Sequence, residues 1–242
     1  MRLQRSTTVV IMQPYFLPYR NYYGLIQKAD HFVIFDDVQF CRKWQQRNCI
    51  LCPDGRKRWI TVPIISRRPA YQLVKDVQIC NKEPWQGQML ARIRQSYKNH
   101  PYFDYVYPEL EMILRKKVKR LVELTVPLLQ WSASKIGILL PKWHWSSEMG
   151  GRHLGRTERL VYICQLLGAT EYLVGPAAKA YLIESLFEEA GIHVSWHENS
   201  YPEYPQLLSE EFDHYISILD LLMNLGPKSA EYLEPCNESR GK

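Results

Sequence analysis

Short apolar runs alternate with amphipathic segments along the first part of the chain. Residues 8–12 and 31–35 are largely apolar runs of strand length, which predicts two buried strands. Between them, residues 22–29 carry apolar side chains at helical spacing, and Pro14 ends the first run because proline removes a ladder donor. A strand–loop–helix–strand unit of this kind is typical of parallel α/β sheets.

The middle of the chain shows a different pattern. Alternating apolar and polar residues around a Pro-Asp-Gly turn at 53–55 predict a β-hairpin. Helical spacing predicts a helix over 85–98 and a second helical region over about 110–135, broken at Pro127. We expect these helices to form a basic helical insertion at about 85–137.

The α/β alternation returns in the last third. The patterns predict helices over 157–167, 181–190 and 216–224 and strands over 172–174 and 192–196. Gly168 is expected to end the first of these helices, and the polar residues 231–242 to form a frayed tail. We therefore predict one α/β domain over 1–230 that is built on a Rossmann-like, mostly parallel sheet.

Composition excludes several classes of protein. With 46% hydrophobic residues among 242, the chain is not disordered, and no apolar run is long enough for a membrane span. The first apolar run is also too short for a secretory signal, so we expect a cytoplasmic protein.

The net charge of +6 conceals an asymmetry between the two halves. Residues 1–120 hold 22 Lys and Arg against 9 Asp and Glu, whereas residues 121–242 hold 9 against 16. The basic half favours a polyanionic partner such as a nucleic acid, a nucleotide or a sugar phosphate. Ordinary solvated surface charge is the alternative.

Six cysteines in a chain without a secretory signal predict reduced thiols. Cys49 and Cys52 are closely spaced, but a zinc site needs about four ligands and the chain has no second Cys-x-x-Cys pair and no His-x-x-His pair, although Cys41 and Cys80 could in principle complete one. We therefore interpret the cysteines as small buried hydrophobes and predict no metal site.

The densest group of chemically versatile residues follows the first two predicted strands. The first strand is followed by Gln13, Pro14, Tyr15 and Tyr19, and the second by Asp36, Asp37 and Gln39. Ligands of open α/β sheets bind outside the carboxyl ends of the strands. Two adjacent carboxylates there can hold magnesium, a ribose or an amine, and turn capping is the alternative for either one.

Further candidates lie in the second half. Thr157 is expected to be the N-cap of its helix, but capping does not explain Arg159, whose guanidinium suits a carboxylate or a phosphate. Glu158 is a candidate general base for an attacking amine, or a partner of the helix dipole. The remaining candidates, for which loop positions are the alternative, are Gly175, Lys179, Glu203 and Gln206, with His153, Arg152 and Arg156 as a candidate anion site.

Several of these segments together resemble the WbqC-like protein family. They are residues 12–19, 36–40, 47–48, 156–160, 167–170, 175–176, 181–182, 203–206 and 219–222. The resemblance covers about residues 9–229 and implies a role in surface-polysaccharide biosynthesis, with glycyl or aminoacyl transfer as the activity. Asn21 stands in a loop where the family usually has glycine, and asparagine tolerates a positive φ better than most residues.

The first strand–loop–helix–strand unit is also similar to pantothenate synthetase and other nucleotidylyltransferase-like folds. That likeness implies a sheet of the nucleotidylyltransferase type. Those enzymes place a His-x-Gly-His loop at the start of the first helix, where nucleotide phosphates bind. Residues 17–22 contain neither histidine, which puts the adenylylating chemistry in doubt.

The leading functional hypothesis is a transferase that joins an activated amino acid, carried by tRNA, to the amine of a small acceptor such as an amino sugar. Glu158 is its candidate base, and Asp36 and Asp37 orient the amine. The candidates for binding the ester oxygen or phosphate are Arg47, Asn48 and Arg159. One alternative is a ligase or nucleotidylyl transferase that uses ATP and Mg²⁺ in the same crevice. The other is a non-catalytic RNA-binding protein.

Overall fold

The computed structural model describes residues 6–65, 71–198 and 200–233. Its strands are β1 (Thr8–Met12), β2 (His31–Ile34), β3 (Arg47–Leu51), β4 (Lys57–Thr61), β5 (Lys142–Trp145), β6 (Glu171–Val174) and β7 (His193–Trp196). Five of them form a parallel sheet in the order β5-β2-β1-β6-β7, and β3 and β4 form the predicted antiparallel hairpin. Numbered within the sheet, this order is 3-2-1-4-5, which confirms the Rossmann-like α/β class.

Beyond their first residues, Thr8 and His31, the central strands β1 and β2 are apolar because both faces of the sheet are covered. Val10 and Phe32 belong to one hydrophobic cluster, whereas Val9, Ile11 and Val33 belong to a second cluster on the opposite face. Adjacent side chains of a strand point to opposite faces, so a polar side chain beyond the first position of β1 or β2 would be buried on one face or the other. This explains why the sequence shows continuous runs rather than alternation.

Seven α-helices lie within the described residues. They are α1 (Arg20–Lys28), α2 (Trp85–Tyr97), α3 (Phe103–Leu114), α4 (Val122–Ile136), α5 (Arg156–Leu166), α6 (Glu184–Glu189) and α7 (Ile218–Leu225). Helices α1 to α4 and α7 contribute to the first cluster, and α5 and α6 contribute to the second. The helical insertion consists of α2, α3 and α4, which lie between the hairpin and β5.

The predicted helix over 110–135 is wrong in its limits. Pro127 lies inside α4, and the break falls instead at the basic residues 115–121. The carboxylate of Glu123 accepts hydrogen bonds from the backbone N–H groups of Lys119 and Arg120, both 3.0 Å long, which fixes the chain just before α4. Apolar packing of α4 in the core therefore outweighs the hydrogen bond that Pro127 removes.

Other limits also differ from the prediction. Strand β5 was not predicted, because a short edge strand with half-buried side chains gives no clear apolar run. The helix expected over 181–190 is shorter and follows a 3-10 turn at Pro176–Ala180. The frayed tail expected over 231–242 does not include residues 231–233, since the first two end a 3-10 helix and Leu233 is fully buried, and residues 234–242 lie outside the described part of the chain.

Helix α7 carries a carboxylate into the core. Asp220 is fully buried and accepts hydrogen bonds from the hydroxyls of Tyr204, at 2.8 Å, and Tyr97, at 3.3 Å. Burial disfavours the ionised form and raises the pKa of Asp220 to about 6. The carboxyl group thus joins α2, α7 and the loop that contains Tyr204 at an electrostatic cost near neutral pH.

We expect Asp220→Asn to change the pH dependence of stability. An unfolded aspartate titrates near 3.9, so the folded protein binds this proton more tightly, and the stabilisation is present below about pH 4 and lost as the pH rises past about 6. The free energy of unfolding of the wild type relative to Asp220→Asn should fall by about 2 kcal/mol between pH 4 and pH 7. Urea unfolding at each pH measures it, with Asp104→Asn as the control for an exposed charge change. Parallel pH profiles of wild type and Asp220→Asn would contradict this account.

Candidate functional site

A cleft of about 490 Å³ opens at the carboxyl ends of β1 and β2, beside the start of α5. The loop after β1 contributes Gln13 and Tyr15, and the loop after β2 contributes Asp37 and Gln39. In the sheet, β2 and β5 lie on one side of β1, and β6 and β7 lie on the other. The cleft therefore adjoins the point where the strand order reverses, at which open α/β sheets bind their ligands.

One wall of the cleft is formed by three arginines. Arg152 and Arg156 are exposed, and Arg159 is buried one turn further along α5. Helix α5 begins at Arg156, so its first N–H groups and the positive end of its dipole lie at the same wall. The guanidinium of Arg156 lies 4.2 Å from the ring centroid of Tyr181. This wall is suited to an anionic group such as phosphate.

Asp37 fixes the innermost of these arginines. Its buried carboxylate accepts hydrogen bonds from Nη2 of Arg159 and Oγ of Ser146, both 2.6 Å long, and Nε of Arg152 lies 3.6 Å away. Burial opposes ionisation, but the hydrogen bonds from Arg159 and Ser146 and the nearby positive charges lower the pKa of Asp37 below its usual value. Asp37 is thus an ionised anchor for Arg159.

Asp36 has a different set of partners. One carboxylate oxygen accepts hydrogen bonds from the backbone N–H of Ser147 at 3.0 Å and from Oγ of Ser146 at 3.1 Å. The other accepts from Oγ of Ser147 at 2.9 Å. These bonds cap the 3-10 turn Ser146–Glu148 that follows β5. The capping interpretation therefore accounts for the position of Asp36, whereas its sequence neighbour reaches the cleft.

The loop after β1 is held by hydrogen bonds from buried side chains to its backbone. Leu17 has a φ of 45°, which is strained for a residue with a side chain. Its carbonyl oxygen accepts hydrogen bonds from Nδ2 of Asn48 at 2.7 Å and Oγ of Ser217 at 3.0 Å. The expectation that Asn21 lies in a loop is wrong, because Asn21 is the second residue of α1 and its φ is not positive. The buried Asn48 supports the backbone of the loop and does not line the cleft.

A second, smaller compartment of about 240 Å³ adjoins the cleft. The two share Met12, Tyr15 and Tyr181. The second compartment is largely apolar and is also lined by Tyr19, Asn21, Tyr22, Leu25, Val174, Gly175, Pro176, Ala177, Ala178 and His197. Burial raises the pKa of Tyr15 to about 12, so its hydroxyl is protonated at neutral pH. We call this space the aromatic compartment and the space beside the arginines the cationic compartment.

The residues at the start of α5 do not occupy the positions that their predicted roles require. The N-cap is Gly155, so the prediction that Thr157 caps the helix is wrong. Thr157 is buried, and its Oγ1 accepts a 3.4 Å hydrogen bond from the N–H of Ile183. Glu158 is exposed and folds back over Gly155, where its carboxylate occupies the space that a Cβ on residue 155 would need. Its side chain does not line the cleft.

Several residues that were predicted to bind a ligand lie outside the cleft. The ammonium of the exposed Lys179 lies 5.1 Å from the ring centroid of Trp196, and the guanidinium of Arg47 lies 4.3 Å from that of Trp59. Gln206 is buried, and its side-chain oxygen accepts a 2.7 Å hydrogen bond from the N–H of Asp213. Neither these residues nor the exposed Glu203 and His153 line either compartment.

Sequence reasoning missed the tyrosines on the far side of the cleft. Tyr181 lines both compartments, and Tyr71 lines the cationic one. Neither residue adjoins a predicted strand end, so no local pattern marks it. Gly175 and Pro176 give a better signal, since they follow β6 directly and line the aromatic compartment.

The described residues contain neither a cluster of metal ligands nor a membrane-spanning helix. Among them, no group of three or more His, Cys, Asp and Glu side chains is placed to hold a metal ion. Within the same part of the chain, no helix has the length and apolar character needed to cross a membrane.

Comparison with known proteins agrees with this arrangement of motifs. The WbqC-like protein family matches residues 13–232. The chain is 33% identical over 234 residues to the uncharacterized protein Rv1507c of Mycobacterium tuberculosis, with 95% of this chain and 99% of that protein covered. No solved structure matches it. The chain belongs to the WbqC-like protein family.

Proposed function

We propose that the cleft binds a nucleotide-containing substrate and that the protein is a transferase or ligase that acts on it. The observation that carries the proposal is the continuity of the two compartments through Tyr15 and Tyr181. A nucleotide combines an anionic phosphate group with a planar, largely apolar ring. The cleft offers a cationic wall and an aromatic lining to the same molecule.

The cationic compartment supports binding of the phosphates. Arg156 and Arg152 are exposed at the cleft, so their guanidinium groups are accessible to a ligand. Arg159 is held in place by the ionised Asp37, so this pair adds no net charge and the positive charge of the wall comes from Arg152 and Arg156. Charge-assisted hydrogen bonds from guanidinium groups to phosphate are among the stronger polar contacts in proteins.

The aromatic compartment supports binding of the ring. Tyr15 and Tyr22 have ring centroids 5.5 Å apart, and Tyr19 and Tyr181 complete the lining with Pro176. Aromatic faces favour offset stacking and edge contacts with planar groups. Since this compartment lacks Lys, Arg, Asp and Glu among its lining residues, it suits a neutral ring better than a second anion.

The charges around the cleft favour chemistry in which a phosphate leaves. Asp36 and Asp37 accept hydrogen bonds from Ser146, Ser147 and Arg159, and neither carboxylate is available as a base in this arrangement. Preorganised arginines stabilise the negative charge that develops on a departing phosphate or pyrophosphate. Magnesium would enter with the phosphates of the nucleotide.

Aminoacyl transfer is the second candidate. An aminoacyl adenylate and the terminal adenosine of an aminoacyl-tRNA both present a planar base and a phosphate, so the same two compartments suit them. The positive charge of the first 120 residues favours the tRNA-linked form. The exposed position of Glu158 outside the cleft gives this reaction no positioned base.

We expect Arg156→Gln to weaken ATP binding about tenfold, because it removes a guanidinium from the cationic compartment while keeping a polar side chain. Isothermal titration of the wild type and the variant with ATP and Mg²⁺ measures the change. Arg115→Gln is the matched control, since that exposed arginine pairs with Glu111 on α3, outside the cleft. Equal affinities of wild type and Arg156→Gln would contradict the proposed site.

A comparison of tRNA forms separates the two candidate reactions. We expect charged and deacylated tRNA to bind with equal affinity, because the primary proposal assigns no contact to the amino acid. Filter binding across a salt series measures both forms. Tighter binding of the charged form would replace the primary proposal with aminoacyl transfer.

A further inference from the structure

A row of aromatic side chains runs over the surface past the cleft and reaches the hairpin. Its members, which we call the aromatic strip, are Tyr215, Tyr19, Trp44 and Trp59. Neighbouring ring centroids along it are 5.9, 6.3 and 5.7 Å apart. Tyr215 is 64% exposed and Trp59 is 42% exposed, so the two ends of the strip present aromatic surface to solvent. Tyr19 also lines the aromatic compartment.

Cationic groups accompany the strip. Arg47 on β3 lies over the ring of Trp59, and the exposed Arg92 on α2 donates a 2.9 Å hydrogen bond to the carbonyl oxygen of Trp59. Lys43, next to Trp44 in the chain, is exposed. Three positive charges therefore lie along a short stretch of exposed aromatic surface.

Two acidic groups near the hairpin are paired with cations. Asp54 accepts from Arg58 at 2.7 Å, and Asp213 lies 2.6 Å from the ammonium of Lys57. These pairs neutralise the turn end of the hairpin. The cations beside Trp59 and Trp44 thus give this face its positive character.

We propose that the aromatic strip binds a single-stranded polynucleotide. Its bases stack on the exposed rings, and its phosphates meet Arg47, Arg92 and Lys43. Aromatic residues interleaved with cations are typical of surfaces that hold single strands without reading their sequence. A neutral oligosaccharide also stacks on aromatic rings, but the cations do not strengthen its binding. The positive charge of this face therefore favours a polynucleotide over an oligosaccharide.

The strip and the cleft meet at Tyr19. A strand that lies on the strip can therefore place its terminal nucleotide in the aromatic compartment, a consequence that rests on the proposed function. Binding of the strand itself does not depend on the chemistry of the cleft.

Fluorescence anisotropy with a labelled single-stranded oligouridine tests the proposal. We expect Trp59→Ala and Tyr215→Ala each to weaken binding about fivefold or more. Tyr105→Ala is the matched control, since Tyr105 on α3 is also 42% exposed and lies beside Lys135, away from the strip. Arg92→Gln should reduce the slope of affinity against salt concentration. Thermal unfolding verifies that each variant is folded.

Each outcome has a defined meaning. Equal oligouridine affinities of Trp59→Ala, Tyr215→Ala and Tyr105→Ala would overturn the proposal. So would wild-type protein that binds a neutral maltooligosaccharide through Trp59 and Tyr215 but does not bind oligouridine. ATP titration of the same variants keeps the two proposals apart. Oligouridine binding without ATP binding would refute the cleft assignment alone, and ATP binding without oligouridine binding would refute the strip alone.

Discussion

The buried ion pair between Asp37 and Arg159 is the interaction on which the site depends. It joins the end of β2 to α5, and Ser146 adds the end of β5 through the same carboxylate. Removing one partner of such a pair leaves an uncompensated buried charge, at a cost of about 3–5 kcal/mol. The pair therefore sets where α5 begins relative to the sheet, and with it the positions of Arg152 and Arg156.

The fold explains why this pair lies beside a cleft. Helices cover both faces of the parallel sheet, so the loops at the carboxyl ends of the strands are where polar groups can collect. Asn48 and Ser217 hold the strained Leu17, which orients the loop that carries Tyr15 and Tyr19. The packed core thus holds the loops in position, and the residues that follow the strands line the cleft.

Much of this architecture could be predicted from the chain. Buried parallel strands are continuous apolar runs, so β1 and β2 were recognisable, and the polar residues that follow them pointed to the cleft. The different roles of Asp36 and Asp37 could not be predicted, because they depend on Ser146 and Arg159, which are more than 100 residues away in sequence. The same reason hides Tyr181, and it also explains why Asn48 supports a loop rather than a ligand. Local patterns report burial and turns, whereas partners depend on the tertiary fold.

A crystal structure with a non-hydrolysable ATP analogue would test the central claim most directly. We expect the phosphates of the analogue to lie within hydrogen-bond distance of Arg156 and Arg152 and its base to lie between Tyr15 and Tyr181. The ion pair between Asp37 and Arg159 should remain intact. An analogue bound away from the carboxyl ends of β1 and β6, or bound with its phosphates outside the arginine wall, would contradict it.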